Sequence, residues 1–501
     1  MKRFKQGDRS RYVSWPKAPS GPFDNRGVFE SRHPYRRIRV MIDAELLDAS
    51  GDADGRLDLL RILVEHDLVD LHRFADLGPP GYQPAGPSNP QPPVYPGWAI
   101  LEPWDGGWGV LVVTESGHML AGIQGNADQV AAADVNSQAY IDLPTDDAVA
   151  HRRRDAIAAQ VASQALQADV YVTERPYLHE VSWEICRHSA VCTIDEALAL
   201  LGLYFRSQGE YVVARAAHPV RYNRGLFTWV GTRALLPAAW RWLSACSQSD
   251  IHSGADSLLG EDSLYALGES LLTRVERALA ARDELYIAVN RPQHNDTADD
   301  LLTALDELLV ALVAAFDVTA RVTHRVLRLA GQEHRVAWQR TDWLADVNRT
   351  APALAAVMAE HTPGSDCFTI VRLLRNYVHG QALRSAHVQR SGHAGRNLVR
   401  MPAADVSKLL PAIERQGGQH RWGVEPAAIG APFADPVLLA DAAFELVIPT
   451  LNQIMDTTPV EQLPGVQLRP ELCQPPVDQH GKFGPDARRS IRWQYGFDRG
   501  I

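Results

Sequence analysis

The sequence is poor in cysteine, and its few cysteines form no recognisable framework. There are five of them, an odd number, scattered over 501 residues without a Cys-x-x-Cys pair. This spacing argues against a structural zinc site and against a set of disulfides, and it is typical of a protein from a reducing compartment. We therefore expect a cytoplasmic protein.

Long apolar runs are missing as well. The N-terminus is basic and polar without an apolar core behind it, so no secretory signal is visible. The most apolar run, residues 301–316, contains Asp306 and Glu307 and is too short for a membrane span. The sequence predicts a buried helix there and no membrane partner.

Several enzyme signatures are also absent. The chain contains no phosphate-binding loop of the G-x-x-x-x-G-K-[ST] type, no G-x-G-x-x-G after a strand, no H-E-x-x-H and no G-x-S-x-G. These absences argue against a nucleoside triphosphatase, a dinucleotide-binding oxidoreductase, a zinc protease and an α/β-hydrolase.

The overall composition is that of a soluble globular protein, with 46% hydrophobic and 22% charged residues. The length predicts about two to four domains. A net charge of −10 argues against non-specific nucleic-acid binding by the whole chain, but it is compatible with a local basic surface.

The first half of the chain has the pattern of an α/β domain. Residues 1–35 show no hydrophobic period and are predicted to be a loose leader. Between residues 36 and 215, predicted strands alternate with predicted helices, which indicates a parallel sheet with crossover helices. A proline- and glycine-rich loop at 78–97 and a hairpin at 98–123 interrupt this order, and Thr193-x-x-Glu196 has the pattern of a capping box.

Acidic residues recur at the ends of these elements. Asp43 ends the first predicted strand, Asp155 lies on the later helix, and Thr173-Glu174-Arg175 follows the next strand. This order resembles the PIN-like fold of metal-dependent nucleases. The resemblance implies Mg²⁺ or Mn²⁺ held by Asp43, Asp155 and Glu174 against a phosphodiester. The family usually has Thr-x-Asp after that strand, whereas this chain has an arginine at the third position.

The second half of the chain is predicted to be mostly helical. After a mixed connecting segment at 216–260, residues 261–420 show apolar side chains at helical spacing in several successive stretches. We expect them to pack as an all-α bundle. Residues 421–501 are predicted to contain one more helix and a proline-containing tail.

One stretch of this predicted bundle stands out by its charge. From Cys367 to Ala404 there is no aspartate or glutamate. On a helix, Arg372, Arg375 or Asn376, and His379 line one face over two turns. Arginines can grip a phosphate, an amide can orient it, and a histidine can transfer a proton near neutral pH. The basic residues that follow are candidate RNA contacts: Arg384, Arg390 and Arg396.

This constellation resembles the Arg-x(4–6)-His motif of the HEPN superfamily, which often has Asn directly after the Arg. Six residues separate Arg372 from His379, and Arg375-Asn376 supplies the pair but lies only three residues before His379. Many members of the superfamily are metal-independent endoribonucleases of prokaryotic toxin–antitoxin, abortive-infection and antiviral systems. The resemblance implies RNA as substrate, no cofactor at the bundle site, a homodimer through the bundle, and an antitoxin or other regulatory partner.

Three functions are therefore open at the level of sequence. The first is a metal-independent endoribonuclease with the PIN-like half as a second nuclease or a substrate platform. The second is a metal-dependent PIN-like nuclease with a structural bundle. The third is a non-catalytic module that binds RNA, a nucleotide or a protein. The constellation on the helix also has a purely structural interpretation, in which Arg372, Arg375 and His379 belong to a solvated helix end whose histidine caps the C-terminus.

Overall fold

The computed structural model describes most of the chain outside its N-terminal stretch and several loops. The described ranges are residues 28–29, 36–49, 54–76, 97–104, 107–114, 117–122, 126–180, 189–254, 258, 260, 263–291, 295–380, 383–388, 396–427 and 430–497. Only the main chain is described for residues 102–104, 107–109, 114, 117–122, 295–296, 378–380, 388 and 396. The predicted leader, apart from residues 28–29, and nearly all of the predicted proline-rich loop lie outside these ranges.

The chain divides into two compact units. Unit 1 comprises residues 1–223 and 492–501, and unit 2 comprises residues 224–491. The elements of unit 1 are β1 (Ile38–Asp43), α1 (Ala44–Asp48), α2 (Arg56–Val64), β2 (Val69–Ala75), β3 (Trp98–Trp104), β4 (Gly107–Thr114), β5 (Gly117–Gly122), α3 (Ala127–Ala133), α4 (Thr145–Gln160), β6 (Val170–Val172), α5 (Pro176–Glu180), β7 (Ala190–Cys192), α6 (Ile194–Ser207), β8 (Val212–Arg215) and β9 (His218–Arg221). A π-helical turn, Val161–Ala165, continues α4.

Unit 1 is an α/β structure with a mostly parallel sheet, as predicted. The strand order is β5-β4-β3-β2-β1-β6-β7, and only the β3-β4 and β4-β5 pairs are antiparallel. These two pairs confirm the predicted hairpin insertion. Strand β2 was not predicted, because Asp70, His72 and Arg73 break the apolar pattern that marks a strand.

The centre of the sheet is covered by helices. All six residues of β1 are buried, as expected of a central strand in a parallel sheet. Helix α4 and the turn after it pack in one apolar cluster with Met41, Phe74 and Tyr171. Helices α2 and α6 pack against each other and against strands of the sheet. Helix α6 begins with the predicted capping box, in which the main-chain N–H groups of Thr193 and Glu196 each donate to the other residue's side chain.

Unit 2 is rich in helices. Its elements are α7 (Arg224–Leu235), α8 (Ala239–His252), α9 (Leu264–Val289), α10 (Asn295–Val326), α11 (Thr341–Thr350), α12 (Pro352–Val357), α13 (Pro363–Gly380), β10 (Ser385–Val388), β11 (Arg396–Arg400), α14 (Val406–Arg415), α15 (Gly418–Arg421), β12 (Val424–Glu425), β13 (Phe433–Ala434), α16 (Pro436–Thr457), α17 (Pro470–Cys473) and α18 (Pro485–Gln494), the last turn of which belongs to unit 1.

The long helices of unit 2 form its core. Helices α9 and α10 pack along each other, and α13 packs against α10, α14 and α16. The apolar side of α13 is buried, with Ile370 and Val371 fully inaccessible to solvent. The spacing of these apolar residues made the helix predictable, since a helix in water depends on burying such a stripe.

The predicted all-α bundle is wrong in one region. Strands β10, β11, β13 and β12 form a four-stranded antiparallel sheet between α13 and α16. The strands are short, and they pair over at most four residues each. Such strands satisfy their main-chain hydrogen bonds with partners distant in sequence, and they leave little periodic signal along the chain.

One helical segment, Pro436–Gln462, is long and apolar enough to cross a membrane by length and composition, among the residues that the structure describes. Its apolar window is 61% buried inside unit 2. A core helix of a soluble protein passes the same test, so this segment is weak support for a membrane span.

Candidate functional site

Strand β1 is the point at which the order of the parallel strands in unit 1 reverses. The neighbours of β1 in the sheet are β2 on one side and β6 on the other. In open α/β sheets, ligands bind outside the carboxyl ends of the strands at such a point. Asp43 is the last residue of β1, Asp76 follows β2, and Thr173 follows β6. The topology therefore brings these three residues to one edge of the sheet.

An arginine occupies the centre of this edge. Nε of Arg175 lies 3.2 and 3.3 Å from the two carboxylate oxygens of Asp43. Nη1 lies 3.2 Å from Oδ1 of Asp155, and Nη2 lies 3.5 Å from Oδ1 of Asp76. We call Asp43, Asp76, Asp155 and Arg175 the arginine–carboxylate cluster.

Neutral hydroxyl groups complete the surroundings of the carboxylates. The hydroxyl of Tyr171 donates to Oδ1 of Asp43 at 2.8 Å, and that of Thr173 donates to Oδ2 at 2.5 Å. The hydroxyl of Tyr140 donates to Oδ2 of Asp155 at 2.8 Å. All four carboxylate oxygens of Asp43 and Asp155 thus have a donor within the chain.

Burial and charge shift the pKa values of this cluster. Burial raises the pKa of Asp155. The charge of Arg175 and its hydrogen bond act against that rise, and so does the hydrogen bond from the hydroxyl of Tyr140. Burial alone would lower the pKa of Arg175, but Tyr171 and the three carboxylates outweigh it, so the pKa is raised. The guanidinium therefore keeps its charge at every physiological pH.

The carboxylates of this cluster surround a guanidinium group. No group of three or more histidine, cysteine, aspartate or glutamate side chains suited to a metal is found within the described ranges. The two carboxylates predicted as ligands, Asp43 and Asp155, do converge, but on Arg175. A metal ion among these oxygens would have to displace a guanidinium that is bonded to them.

Glu174, the third predicted ligand, lies apart from this cluster. Its carboxylate accepts a hydrogen bond from the main-chain N–H of Ile194 at 3.3 Å, and its side chain is exposed. The side chains of β6 and of the residues after it alternate in direction, so Thr173 and Arg175 face Asp43 while Glu174 faces away.

The second candidate site lies on α13. Arg372, Arg375 and Asn376 follow one another around its less buried side, as their spacing predicted. Nη1 of Arg375 donates to Oδ1 of Asn376 at 3.3 Å. His379 belongs to the same helix, and its side chain lies outside the described part of the structure.

The two guanidinium groups on α13 are partly buried and only partly paired. Nε of Arg372 and Nε of Arg375 are both buried, and neither has a hydrogen-bond acceptor among the described residues. Burial lowers the pKa of Arg372, with Asp405 acting against it, and the guanidinium lies 5.9 Å from the centre of the Phe368 ring.

An acidic side chain of α10 faces this site. Burial raises the pKa of Asp317, and the charge of Arg375 acts against that rise.

Two of the three predicted RNA-contacting residues, Arg384 and Arg396, lie beside or on the strand pair that follows α13. Arg384 is exposed just before β10, and its carbonyl accepts from the N–H of Arg400 at 2.8 Å. Arg396 begins β11, and only its main chain is described. Arg390 lies outside the described residues. His387 and Asn397 are paired across the two strands, with Nδ1 and Oδ1 3.1 Å apart.

Sequence reasoning missed four members of the first site: Asp76, Tyr140, Tyr171 and Thr173. Asp76 follows a strand that was not predicted, and Tyr140 lies in a loop with a positive φ of 63°. Tyr171 and Thr173 were within the predicted strand, and their alternation with Val172 was the available signal. Comparison with protein-family models, with curated proteins and with solved structures found no match for this chain.

Proposed function

We propose that this protein is a metal-independent endoribonuclease whose reaction takes place at Arg372, Arg375, Asn376 and His379. The observation that carries the proposal is that Arg372, Arg375 and Asn376 lie together on the less buried side of α13, where their guanidinium and amide groups are partly open to solvent. A phosphodiester supplies several charged acceptors to such donors at once.

The proposed reaction uses the RNA itself as nucleophile. The 2′-hydroxyl oxygen attacks the adjacent phosphorus, its proton passes to a base, and the bond from phosphorus to the 5′-oxygen breaks. His379 acts as general acid or base, and Arg372 and Arg375 hold the charge that develops on the phosphate oxygens. Asn376, already in contact with Arg375, orients the phosphate or the attacking hydroxyl.

The surface beyond α13 supports a polyanionic substrate. No acidic residue occurs between Cys367 and Ala404, and the exposed Arg384 and Arg400 lie within this stretch. Contacts of this kind bind the phosphate backbone without reading sequence. We propose that Arg384, Arg390 and Arg396 guide RNA towards α13.

In this proposal unit 1 is a platform and not a second nuclease. The support is that Arg175 already forms ion pairs with Asp43 and Asp155 within the cluster. The alternative of a PIN-like nuclease using Mg²⁺ or Mn²⁺ requires that guanidinium to leave. A role in prokaryotic defence, a homodimer through unit 2 and a regulatory partner are further parts of the proposal, and they rest on the resemblances alone. The proposed cytoplasmic location rests on the few, scattered cysteines.

The test is cleavage of end-labelled total RNA by the purified protein, with and without EDTA. Wild type should cleave equally in both conditions, because the proposed chemistry needs no metal. Arg375→Ala/His379→Ala should slow cleavage by about 10²-fold or more, the usual contribution of a general acid or base. Arg349→Ala, which removes an exposed arginine of α11 elsewhere on unit 2, is the matched control and should cleave like wild type.

Two outcomes would contradict the proposal. Cleavage that EDTA abolishes and the double substitution leaves intact would move the chemistry to the carboxylates of unit 1. RNA binding without cleavage in any lane would favour the non-catalytic module, and the same variants would then change only the dissociation constant measured by fluorescence anisotropy.

A further inference from the structure

We infer that Arg175 is the resident cation of the arginine–carboxylate cluster and stands where a divalent metal ion would otherwise lie. Unit 1 then needs no metal ion, and its sheet-edge pocket is held together by an internal ion pair. This inference concerns unit 1 alone and does not depend on the reaction proposed for α13.

The first support is the convergence of three carboxylates on one group. Asp43, Asp76 and Asp155 come from the end of β1, the residue after β2 and the middle of α4. Their nearest oxygens lie 3.2 to 3.5 Å from three different nitrogens of Arg175. A planar guanidinium with a fork of donors is suited to bridge several carboxylates in this way.

The second support is that both the main chain and the guanidinium of Arg175 have further contacts within unit 1. The main-chain N–H of Arg175 donates to Oγ1 of Thr173 at 3.1 Å, and the guanidinium carbon lies 5.5 Å from the centre of the Phe74 ring. Only 18% of the Arg175 side chain is exposed. The arginine is thus a fixed part of the pocket and not a surface side chain folded over it.

The third support is the charge balance. Three neighbouring carboxylates repel one another when they are buried without a cation. Asp155 is only 2% exposed, so its charge depends on a partner inside the chain. Arg175 supplies that partner, and Arg154 adds a weaker contact at 3.6 Å from Oδ2 of Asp76. A divalent ion added beside Arg175 would be repelled by it, so the two cations exclude each other.

The inference predicts that removing the guanidinium creates a metal site. Isothermal titration of the metal-free, full-length protein with Mn²⁺ is the test. Arg175→Gln should bind Mn²⁺ about tenfold or more tightly than wild type, because a positive charge a few ångströms from the ion is gone. Arg175→Lys keeps that charge and should bind like wild type.

Two further variants identify the ligands. Arg154→Gln removes the exposed arginine that also contacts Asp76, and it should leave Mn²⁺ binding at the wild-type level. Arg175→Gln/Asp43→Asn should lose the binding that Arg175→Gln gains. Mn²⁺ should also raise the melting temperature of Arg175→Gln, while wild type should melt at the same temperature in Mn²⁺ and in EDTA.

Three results would overturn the inference. One is wild-type protein that binds Mn²⁺ as tightly as Arg175→Gln. Another is a folded Arg175→Gln variant, judged by circular dichroism, without a gain in Mn²⁺ binding. The third is an Arg175→Gln variant that is unfolded in EDTA and is not restored by Mn²⁺, since the carboxylates would then not accept a metal in place of the guanidinium.

Discussion

Thr173 links the two oppositely charged groups at the centre of the arginine–carboxylate cluster. Its hydroxyl donates to Asp43 at 2.5 Å and accepts from the main-chain N–H of Arg175 at 3.1 Å, and the residue is completely buried. A single hydroxyl thus orients both the carboxylate and the segment that carries the guanidinium. The position of the internal ion pair depends on this one side chain.

Replacing Thr173 by valine tests this role, because valine keeps the shape and removes the hydroxyl. We expect Thr173→Val to lower the free energy of unfolding by about 1–3 kcal/mol, since a buried carboxylate oxygen loses one of its two donors and the main-chain N–H of Arg175 loses its acceptor. Urea unfolding followed by circular dichroism measures this change in the free energy of unfolding.

The matched control for this substitution is Thr145→Val, which changes an exposed threonine in the first turn of α4. We expect it to change the free energy of unfolding by less than about 0.5 kcal/mol. If Thr173→Val were as stable as this control, the hydroxyl would not hold the cluster.

At the scale of elements, the helix with the proposed catalytic residues is fixed to its neighbour by one carboxylate. Asp366, in the first turn of α13, accepts hydrogen bonds from Nε and Nη2 of Arg415 at 2.9 and 2.6 Å and from Nε2 of Gln416 at 2.9 Å. Arg415 and Gln416 lie at the end of α14. These bonds join the start of α13 to the end of α14.

The pKa of Asp366 gives this contact a pH dependence. Burial would raise that pKa, but the hydrogen bonds from Arg415 and Gln416 and the charge of Arg415 outweigh it, so the pKa lies below its usual value. A carboxyl group with a lowered pKa in the folded state contributes stability above its unfolded pKa of about 4. This contribution is lost as the pH falls through the folded pKa.

We therefore expect Asp366→Asn to lower the free energy of unfolding by about 1.5–3 kcal/mol at pH 7. The difference from wild type should shrink as the pH falls below about 4, because the carboxyl group of the unfolded chain then takes up a proton, and it should vanish once the pH is below the lowered pKa of the folded state. Urea unfolding at pH 7 and at steps between pH 5 and pH 3 measures both effects.

Asp346→Asn serves as the control for this series, because it removes the acid of an exposed pair with Arg349 on α11. Asp346→Asn should lower the free energy of unfolding by less than about 0.5 kcal/mol at any of these pH values. An Asp366→Asn difference that is equally large at pH 3 and pH 7 would contradict the predicted ionic contribution.

At the scale of the whole molecule, unit 1 is closed by residues from the far end of the sequence. Nη1 of Arg206 donates to the carbonyl of Gln494 at 2.9 Å, and Nε2 of Gln494 donates to the carbonyl of Val212 at 2.7 Å. The guanidinium of Arg206 also lies 4.1 Å from the centre of the Tyr495 ring. The segment after residue 491 is thus an integral part of unit 1.

Gly202 of α6 provides the space for this segment. A Cβ atom at position 202 would lie 2.6 Å from Cβ and from the carbonyl oxygen of Gln494, which is closer than atoms can approach. We expect Gly202→Ala to cost about 1–3 kcal/mol in the free energy of unfolding, the usual cost of overpacking. Hydrogen exchange of β8 should become faster at the same time, because Val212 loses its contact with Gln494.

The control for this substitution is Ser207→Ala, near the end of the same helix. Its free energy of unfolding should lie within about 0.5 kcal/mol of the wild-type value. A Gly202→Ala protein with wild-type stability and wild-type exchange in β8 would show that the C-terminal segment does not pack on α6.

Several features of the molecule were determined locally and could be read from the sequence. Helix α13 was predictable because its apolar residues recur at helical spacing, and α6 because Thr193 and Glu196 form a capping box. The end of β1 at Asp43 followed from an apolar run that stops at a charge. Each of these signals depends only on neighbours along the chain, where spacing and geometry are directly related.

The small sheet of unit 2 and strand β2 of unit 1 were decided by tertiary structure. In β2, polar residues such as His72 alternate irregularly with apolar ones, and in β10 and β11 the strands are very short. A strand's hydrogen bonds go to partners far along the chain, so its existence depends on pairing and not on its own pattern.

The composition of the candidate sites was likewise settled only by the fold. The sequence alone determined that an arginine stands two residues after Thr173, and it predicted that Arg372, Arg375 and Asn376 lie near one another on α13. Only the tertiary structure decided that Arg175 meets Asp43, 132 residues away, and that the Nε groups of Arg372 and Arg375 are buried. The physical reason is that burial and charge pairing are properties of spatial neighbours, which folding selects from distant parts of the chain.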